Sequence, residues 1–198
     1  MSPRRGVAAL LALALIGGGA GVASAQAATT TSANWAGYAV RKTGTTFRHV
    51  GGTWTVPAVD CTNNSGESYS ANWVGLGGYA STSKALEQLG TESDCSRNGT
   101  ATYSAWFEVV PAAATSAKLT IKAGDVMRAG AAVRGTLVTL KMTNVTRAQT
   151  VTRTVRADTV DVSSAEWIVE APSLCDAACT QGALADFGST AFSATASA

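Results

Sequence analysis

The 198-residue sequence contains one histidine, His49, and that scarcity closes several routes to chemistry. An imidazole metal centre needs more than one such ligand, and a Ser-His-Asp triad would have to pass through His49. No Gly-x-Ser-x-Gly turn accompanies it, so His49, in Phe47-Arg48-His49-Val50, reads as an exposed strand or loop residue. Neither Asp-Thr-Gly nor Asp-Ser-Gly occurs, which removes the usual signature of a paired-aspartate site. Charged residues make up only 14% of the chain, with 15 basic and 13 acidic side chains and a formal net charge of +2. No run of Lys and Arg stands out, and phosphate binding needs concentrated positive charge, so nucleic acid is not expected as a partner. No long segment carries a helical apolar stripe, and only Lys84 to Leu89 reads as a brief helical turn. There is no fixed-period repeat, which excludes propellers and solenoids. No metal or cofactor is expected.

What the sequence does have begins with a leader. Arg4 and Arg5 form a basic start, Ala8 to Ile16 an apolar centre, and Ala23-Ser24-Ala25 a small-residue cleavage site, so residues 1–25 read as a secretory signal. The apolar stretch is too short and too interrupted by glycine for a membrane span. Removal of the signal takes away Arg4 and Arg5 but no acid, leaving 13 bases against 13 acids. Residues 26–32 form a short Ala/Thr/Ser segment, and residues 33–198 are expected to form a single domain of an extracellular protein, a monomer with no membrane partner once the signal is gone.

Four cysteines, Cys61, Cys95, Cys175 and Cys179, are an even number, which in an exported chain favours disulfides over a thiol nucleophile or a metal cluster. Three pairings are open, and Cys61 with Cys95 and Cys175 with Cys179 is the preferred one because the second pair flanks the short loop Asp176-Ala177-Ala178. Asn63, Asn98 and Asn144 each sit in an Asn-x-Ser/Thr pattern.

From Ala33 onward, runs rich in Thr, Val and aromatic residues alternate with Gly, Pro, Asn and Asp: NWAGYAV, FRHVGGTWTVP, SANWVGLGG, TYSAWFEVVP, KLTIKAGD, GTLVTLKMTN, QTVTRTVRA, AEWIVEAP and LADFGSTAF. The class is all-β, and a sandwich of antiparallel sheets is expected.

With thiol and imidazole chemistry disfavoured, carboxylate and amide chemistry remain. In Ala165-Glu166-Trp167-Ile168-Val169-Glu170, strand alternation puts Glu166, Ile168 and Glu170 on one face and Trp167 and Val169 on the other. Two partly desolvated carboxyls near one another have raised pKa values and can work as acid or base. In Trp106-Phe107-Glu108-Val109, Trp106 and Glu108 share a side, and Trp73 can supply a second aromatic wall. Gln88 is undistinguished alone, but its amide can donate a hydrogen bond to a developing oxyanion at any pH, which is what a lone carboxylate needs as partner.

Taken in order, NWAGY, GTWTVP, WVGLGG, LEQLGTE, YSAWFEVVP, KAGD, NVT, AEWIVE and LADFGSTAF resemble the glutamic peptidases of the eqolisin type, the family of scytalidoglutamic and aspergilloglutamic peptidases. The resemblance covers nearly all of Asn34 to Phe192. It implies a bent antiparallel β-sandwich with a substrate groove on one sheet, and a secreted acid endopeptidase acting on proteins or peptides without cofactor. By the same resemblance the catalytic pair is Gln88 and Glu170, with Trp73, Trp106, Glu108 and Glu166 as substrate-binding neighbours. Gly77 and Ser104 depart from the fungal enzymes of the family, which have aspartates at both places. The resemblance also leads one to expect an inhibitory pro-segment, for which the chain has no room, and further strands beyond Ala198. Two other readings compete: a non-catalytic sandwich that holds a peptide or glycan in a tryptophan groove, and a sandwich glycosidase with two glutamates on one strand.

Overall fold

The computed structural model describes residues 27–62, 66–175 and 178–198. The expected signal lies outside the described residues, as do Asn63, Asp176 and Ala177. In chain order the strands are β1 (Trp35–Arg41), β2 (His49–Thr55), β3 (Ala71–Gly77), β4 (Leu86–Cys95), β5 (Ala101–Val109), β6 (Thr115–Ser116) and β7 (Val126–Arg134), then β8 (Leu137–Asn144), β9 (Gln149–Arg156), β10 (Ser164–Glu170), β11 (Ser173–Cys175), β12 (Cys179–Gln181) and β13 (Ser193–Ser197). They form a six-stranded sheet in the order β1-β10-β3-β4-β5-β6, a five-stranded sheet in the order β13-β2-β7-β8-β9, and the small hairpin β11-β12. Every pairing between these strands is antiparallel, and the two larger sheets make the sandwich.

Alternation decides what each sheet buries. Along β7 and β8 every second residue is buried, so Met127, Ala131, Leu140 and Met142 face the interior while Arg128, Arg134 and Lys141 face out. From the six-stranded sheet Val74, Leu89, Phe107 and Trp167 meet them, and Trp54 and Val50 complete the centre. The Trp167 indole donates to the Gly51 carbonyl across the sandwich at 2.8 Å, so even the polar edge of this core ring is satisfied. Strands β3 and β10 are buried on both faces, because a second, smaller apolar cluster of Trp73, Trp106, Ile168, Leu86 and Ala71 covers the outer side of the six-stranded sheet.

Three local expectations are corrected. Lys84 to Leu89 contains good helix formers, yet Leu86 onward is strand, because β3 and β5 hydrogen-bond it on both sides and that tertiary pairing outweighs propensity. KLTIKAGD has the composition of a strand, but residues 118–125 form a loop that closes in a turn at Lys122–Asp125, with the Asp125 carboxylate accepting from the Lys122 N–H at 2.9 Å. LADFGSTAF makes only isolated bridges at Leu184 and Asp186, and the strand follows it as β13. Asn144 is fully buried and donates to both Thr120 and Asp125, so it offers no surface for a glycan.

Disulfides join Cys61 to Cys95 and Cys175 to Cys179. The first ties the segment before β3 to the end of β4 across 34 residues. In the chain-entropy account, a loop of that length contributes about 3–4 kcal/mol. A Cys61→Ser/Cys95→Ser variant should therefore lose about that much in guanidinium unfolding, and the Cys175–Cys179 pair, which closes only four residues, should matter less.

Candidate active site

The outer face of the six-stranded sheet is read from its register, because residues opposite one another in antiparallel strands point the same way. One row crosses it as Glu166, Gly75, Gln88 and Glu108. The next is Ile168, Trp73, Gly90 and Trp106, and the one after is Glu170, Ala71, Glu92 and Ser104. Gln88 and Glu170 thus share a face and stand diagonally across the tryptophan row. Gly90 is what allows that row to close. A Cβ there would lie 2.5 Å from the Asn72 carbonyl oxygen and 2.6 Å from the Trp73 Cβ, so only glycine lets the two indoles approach from either side.

Glu170 is held at both oxygens. Asn34 Nδ2 donates to Oε1 at 2.9 Å, and Trp73 Nε1 donates to Oε2 at 2.8 Å. Trp35 packs edge-on against Trp73, with ring centroids 4.9 Å apart. Burial pushes the Glu170 carboxyl above the ordinary glutamate range; the donors from Trp73, Trp35 and Asn34 oppose this, and the negative charge of Glu108 adds to it.

Gln88 is nearly enclosed, and its Nε2 donates to Glu108 Oε2 at 2.5 Å. That bond fixes which end of the amide is the donor and leaves its second N–H unused by Glu108. Burial raises the Glu108 carboxyl, with the Gln88 bond in opposition. Glu108 also lines a cavity of about 440 Å³ at the sandwich edge, with Phe107, Pro111, Leu140, Arg153 and Val155; neither Gln88 nor Glu170 lines it.

A second carboxylate group sits at the Gly77 end of the sheet. Glu166 and Glu87 are fully buried, Glu166 in the outer row and Glu87 on the inner face beside Leu89. Burial pushes each up to about 8; the negative charge of Asp161 adds to both, and that of Glu87 adds to Glu166. For Asp161, burial would raise the carboxyl, but hydrogen bonds from Ser163, Ser83 and the Gly78 N–H outweigh it and hold the group low. Gly77 has φ of +79°, and a Cβ on it would lie 2.4 Å from the Asp161 Cβ. The space a side chain at position 77 would take is thus filled by a carboxylate from the connection between β9 and β10.

Of the expected site residues, Gln88, Glu108, Trp73, Trp106, Glu166 and Glu170 all lie on this one face. Trp73 and Glu166 were expected to meet substrate, yet both are fully enclosed, so Trp73 acts on Glu170 and not as an open wall. Sequence reasoning passed over Asn34, Trp35, Glu87 and Asp161. Asn34 and Trp35 were within reach, since both belong to the quoted NWAGY run, but nothing local to that run points at a glutamate 136 residues away. His49 is an exposed residue of β2. Among the described residues, no three His, Cys, Asp or Glu side chains converge as a metal site requires.

The model of the Peptidase A4 family matches residues 33–198. The chain belongs to that family. Peptidase A4 membership makes it a homologue of the glutamic peptidases, and the glycosidase reading finds no support in it. The fold agrees. A solved structure of scytalido-glutamic peptidase with a transition state analog inhibitor superposes with a TM-score of 0.72 at 24% identity, over 83% of this chain and 80% of that one. The structure of SCP-B, a member of the eqolisin family in complex with the tripeptide Ala-Ile-His, gives 0.68 at 24% identity, over 83% and 79%. No curated protein matches the chain. At Ser104, one of the two departures from the family pattern, the hydroxyl donates to Glu92 at 2.9 Å; at the other, Gly77, Asp161 brings a carboxylate to the vacant side-chain position.

Proposed function

We propose that this member of the Peptidase A4 family is a secreted acid endopeptidase in which Glu170 and Gln88 activate water against a peptide bond. The observation that carries the reading is that both side chains stand on the same sheet face, each held by fixed hydrogen bonds, Glu170 by Trp73 and Asn34 and Gln88 by Glu108. Glu170 takes a proton from the attacking water and returns it to the leaving amine. The free N–H of Gln88 stabilises the tetrahedral oxyanion, and no acyl-enzyme forms. Peptide contacts fall first to Glu108, which is half-buried, and then to the small open edge of the largely buried Trp106, while Trp73 orients the carboxylate. Secretion is supported by the leader-like residues 1–25 and by two disulfides, which persist in oxidising compartments.

The test is peptide release from a denatured protein at acidic pH, in the presence of a chelator and of serine- and thiol-directed reagents. The expected result is cleavage that none of these reagents stops; inhibition by the chelator or by either reagent would refute the Glu/Gln assignment. A finer check comes from Trp73→Phe, which keeps an aromatic ring but removes the N–H that favours the ionised form of Glu170. The limb of the pH–rate profile governed by Glu170 should move to higher pH. An unmoved profile would mean that Glu170 does not govern it.

A further inference from the structure

The chain's charge is sorted by sheet. The strands of the six-stranded sheet carry six acids, Glu87, Glu92, Asp94, Glu108, Glu166 and Glu170, and a single base, Arg41. Those of the five-stranded sheet carry five bases, Arg128, Arg134, Lys141, Arg153 and Arg156, and no acid. Glu87 and Glu166 are buried, so what the surface shows of this sorting is chiefly the cations of the five-stranded sheet.

On the outer side of the five-stranded sheet, the register gives four rows. They run Ser193, Thr53, Arg128, Thr143, Thr150; then Thr195, Gly51, Gly130, Lys141, Thr152; then Ser197, His49, Ala132, Thr139, Thr154; and last Arg134, Leu137, Arg156. The alternate residues pack inward, so these point away from the core. Arg128, Arg134, Lys141 and Arg156 are exposed, and among the described residues none makes an ion pair, since the ion pairs there are Arg97–Glu67 and Arg147–Asp125. The nearest acid in sequence to this array, Asp158, follows the end of β9.

We propose that this face is a docking surface for an anionic polysaccharide, held by Arg128, Arg134, Lys141 and Arg156 with the hydroxyl rows between them. Charge complementarity calls for an anion, and the cations recur at about 8–14 Å over an area about 20 Å on a side, a spacing that suits a linear chain with spaced acidic groups. Guanidinium groups bind carboxylate or sulfate bidentately, and Thr and Ser hydroxyls both donate to and accept from sugar hydroxyls. The face has no Phe, Tyr or Trp on which successive bases could stack, and its one ring is the imidazole of His49, which sets it apart from a single-stranded nucleic acid platform. A polymer bound here leaves the opposite sheet, with Gln88 and Glu170, turned away from it. The inference does not depend on the peptidase reading.

The experiment is retention of the folded protein on immobilised heparin, beside a sulfonate cation exchanger and a duplex DNA column, for the parent and an Arg128→Gln/Lys141→Gln/Arg156→Gln variant. All three positions are exposed, and circular dichroism checks the fold. The parent should bind heparin more tightly than the sulfonate resin or DNA, and the variant should bind heparin roughly tenfold or more weakly. A control Arg41→Gln/Lys42→Gln variant, altered off this face, should bind as the parent does. Equal retention of parent and triple variant would overturn the proposal. So would DNA or sulfonate retention as strong as heparin's, or a salt-sensitive doubling of mass showing that the face meets a second copy of the chain.

Discussion

Raising the pH through about 8 should unfold this protein, and lowering it to about 4 should stabilise it. Glu87 and Glu166 are fully enclosed, and their folded-state carboxyls are pushed up to about 8 from an ordinary value of 4.5. A group whose folded pKa is raised holds its proton in the native state while the unfolded chain gives it up. Between pH 4.5 and 8 the unfolded state therefore binds fewer protons, and stability falls with each step in pH until both states are ionised. At 1.36 kcal/mol per pKa unit the loss is on the order of several kcal/mol per group, and total stability is commonly about 5–15 kcal/mol. Two such groups thus decide whether the fold survives. Denaturant titrations at pH 4, 6, 8 and 9 should show a falling midpoint, and Glu166→Gln, which cannot ionise, should flatten the fall. A midpoint that stays level or rises toward pH 8 would show that these carboxyls are not held neutral by burial.

The second large effect is on turnover. Gln88→Ala should reduce kcat by about 10²–10³-fold, the usual loss of an oxyanion donor, and Glu170→Gln by about 10²–10⁴-fold, the usual share of general acid/base catalysis. KM should change less than kcat, because neither group is asked to bind the ground state. The two variants differ in how they should fail. Gln88→Ala also strands Glu108, which loses its donor at 2.5 Å, so some loss of local order accompanies it. Glu170→Gln keeps the shape of the side chain, but its single amide oxygen can replace only one of the two acceptors and its NH2 faces the other donor, so either the Trp73 or the Asn34 bond is lost along with the chemistry. A KM effect without a kcat effect in either variant would move that residue from catalysis to binding.

Much of this could be read from the residues, and the parts that could not share one cause. The alternation in AEWIVE placed Glu166 and Glu170 on one face and Trp167 in the core, and the register agrees, because strand parity is a local property. Strand β7, Ala- and Gly-rich, carries little β propensity and is made a strand by its neighbours β2 and β8. Strand β4 is the same case with helix-forming residues. In the site, the acid Glu170 was visible, but its donor Asn34 lies on the chain before β1, and the carboxylate filling the space at Gly77 comes from Asp161, 84 residues on. Four of the five cations of the second sheet, Arg128, Arg134, Lys141 and Arg156, are scattered in sequence with no run among them, and only the register of β7, β8 and β9 brings them to one surface, whereas Arg153 has the opposite parity.

Glu170 and Gln88 are proposed to act as one unit, and the most direct measurement of that is a double-mutant cycle. Initial rates on one peptide at one acidic pH would be compared for the parent, Gln88→Ala, Glu170→Gln and the double variant, all confirmed folded. Groups that serve a single transition state are strongly non-additive, so the double variant should be scarcely slower than the worse single one. Losses that multiply would show two independent contributions, and a Glu170→Gln variant as fast as the parent would remove the catalytic carboxylate from the account.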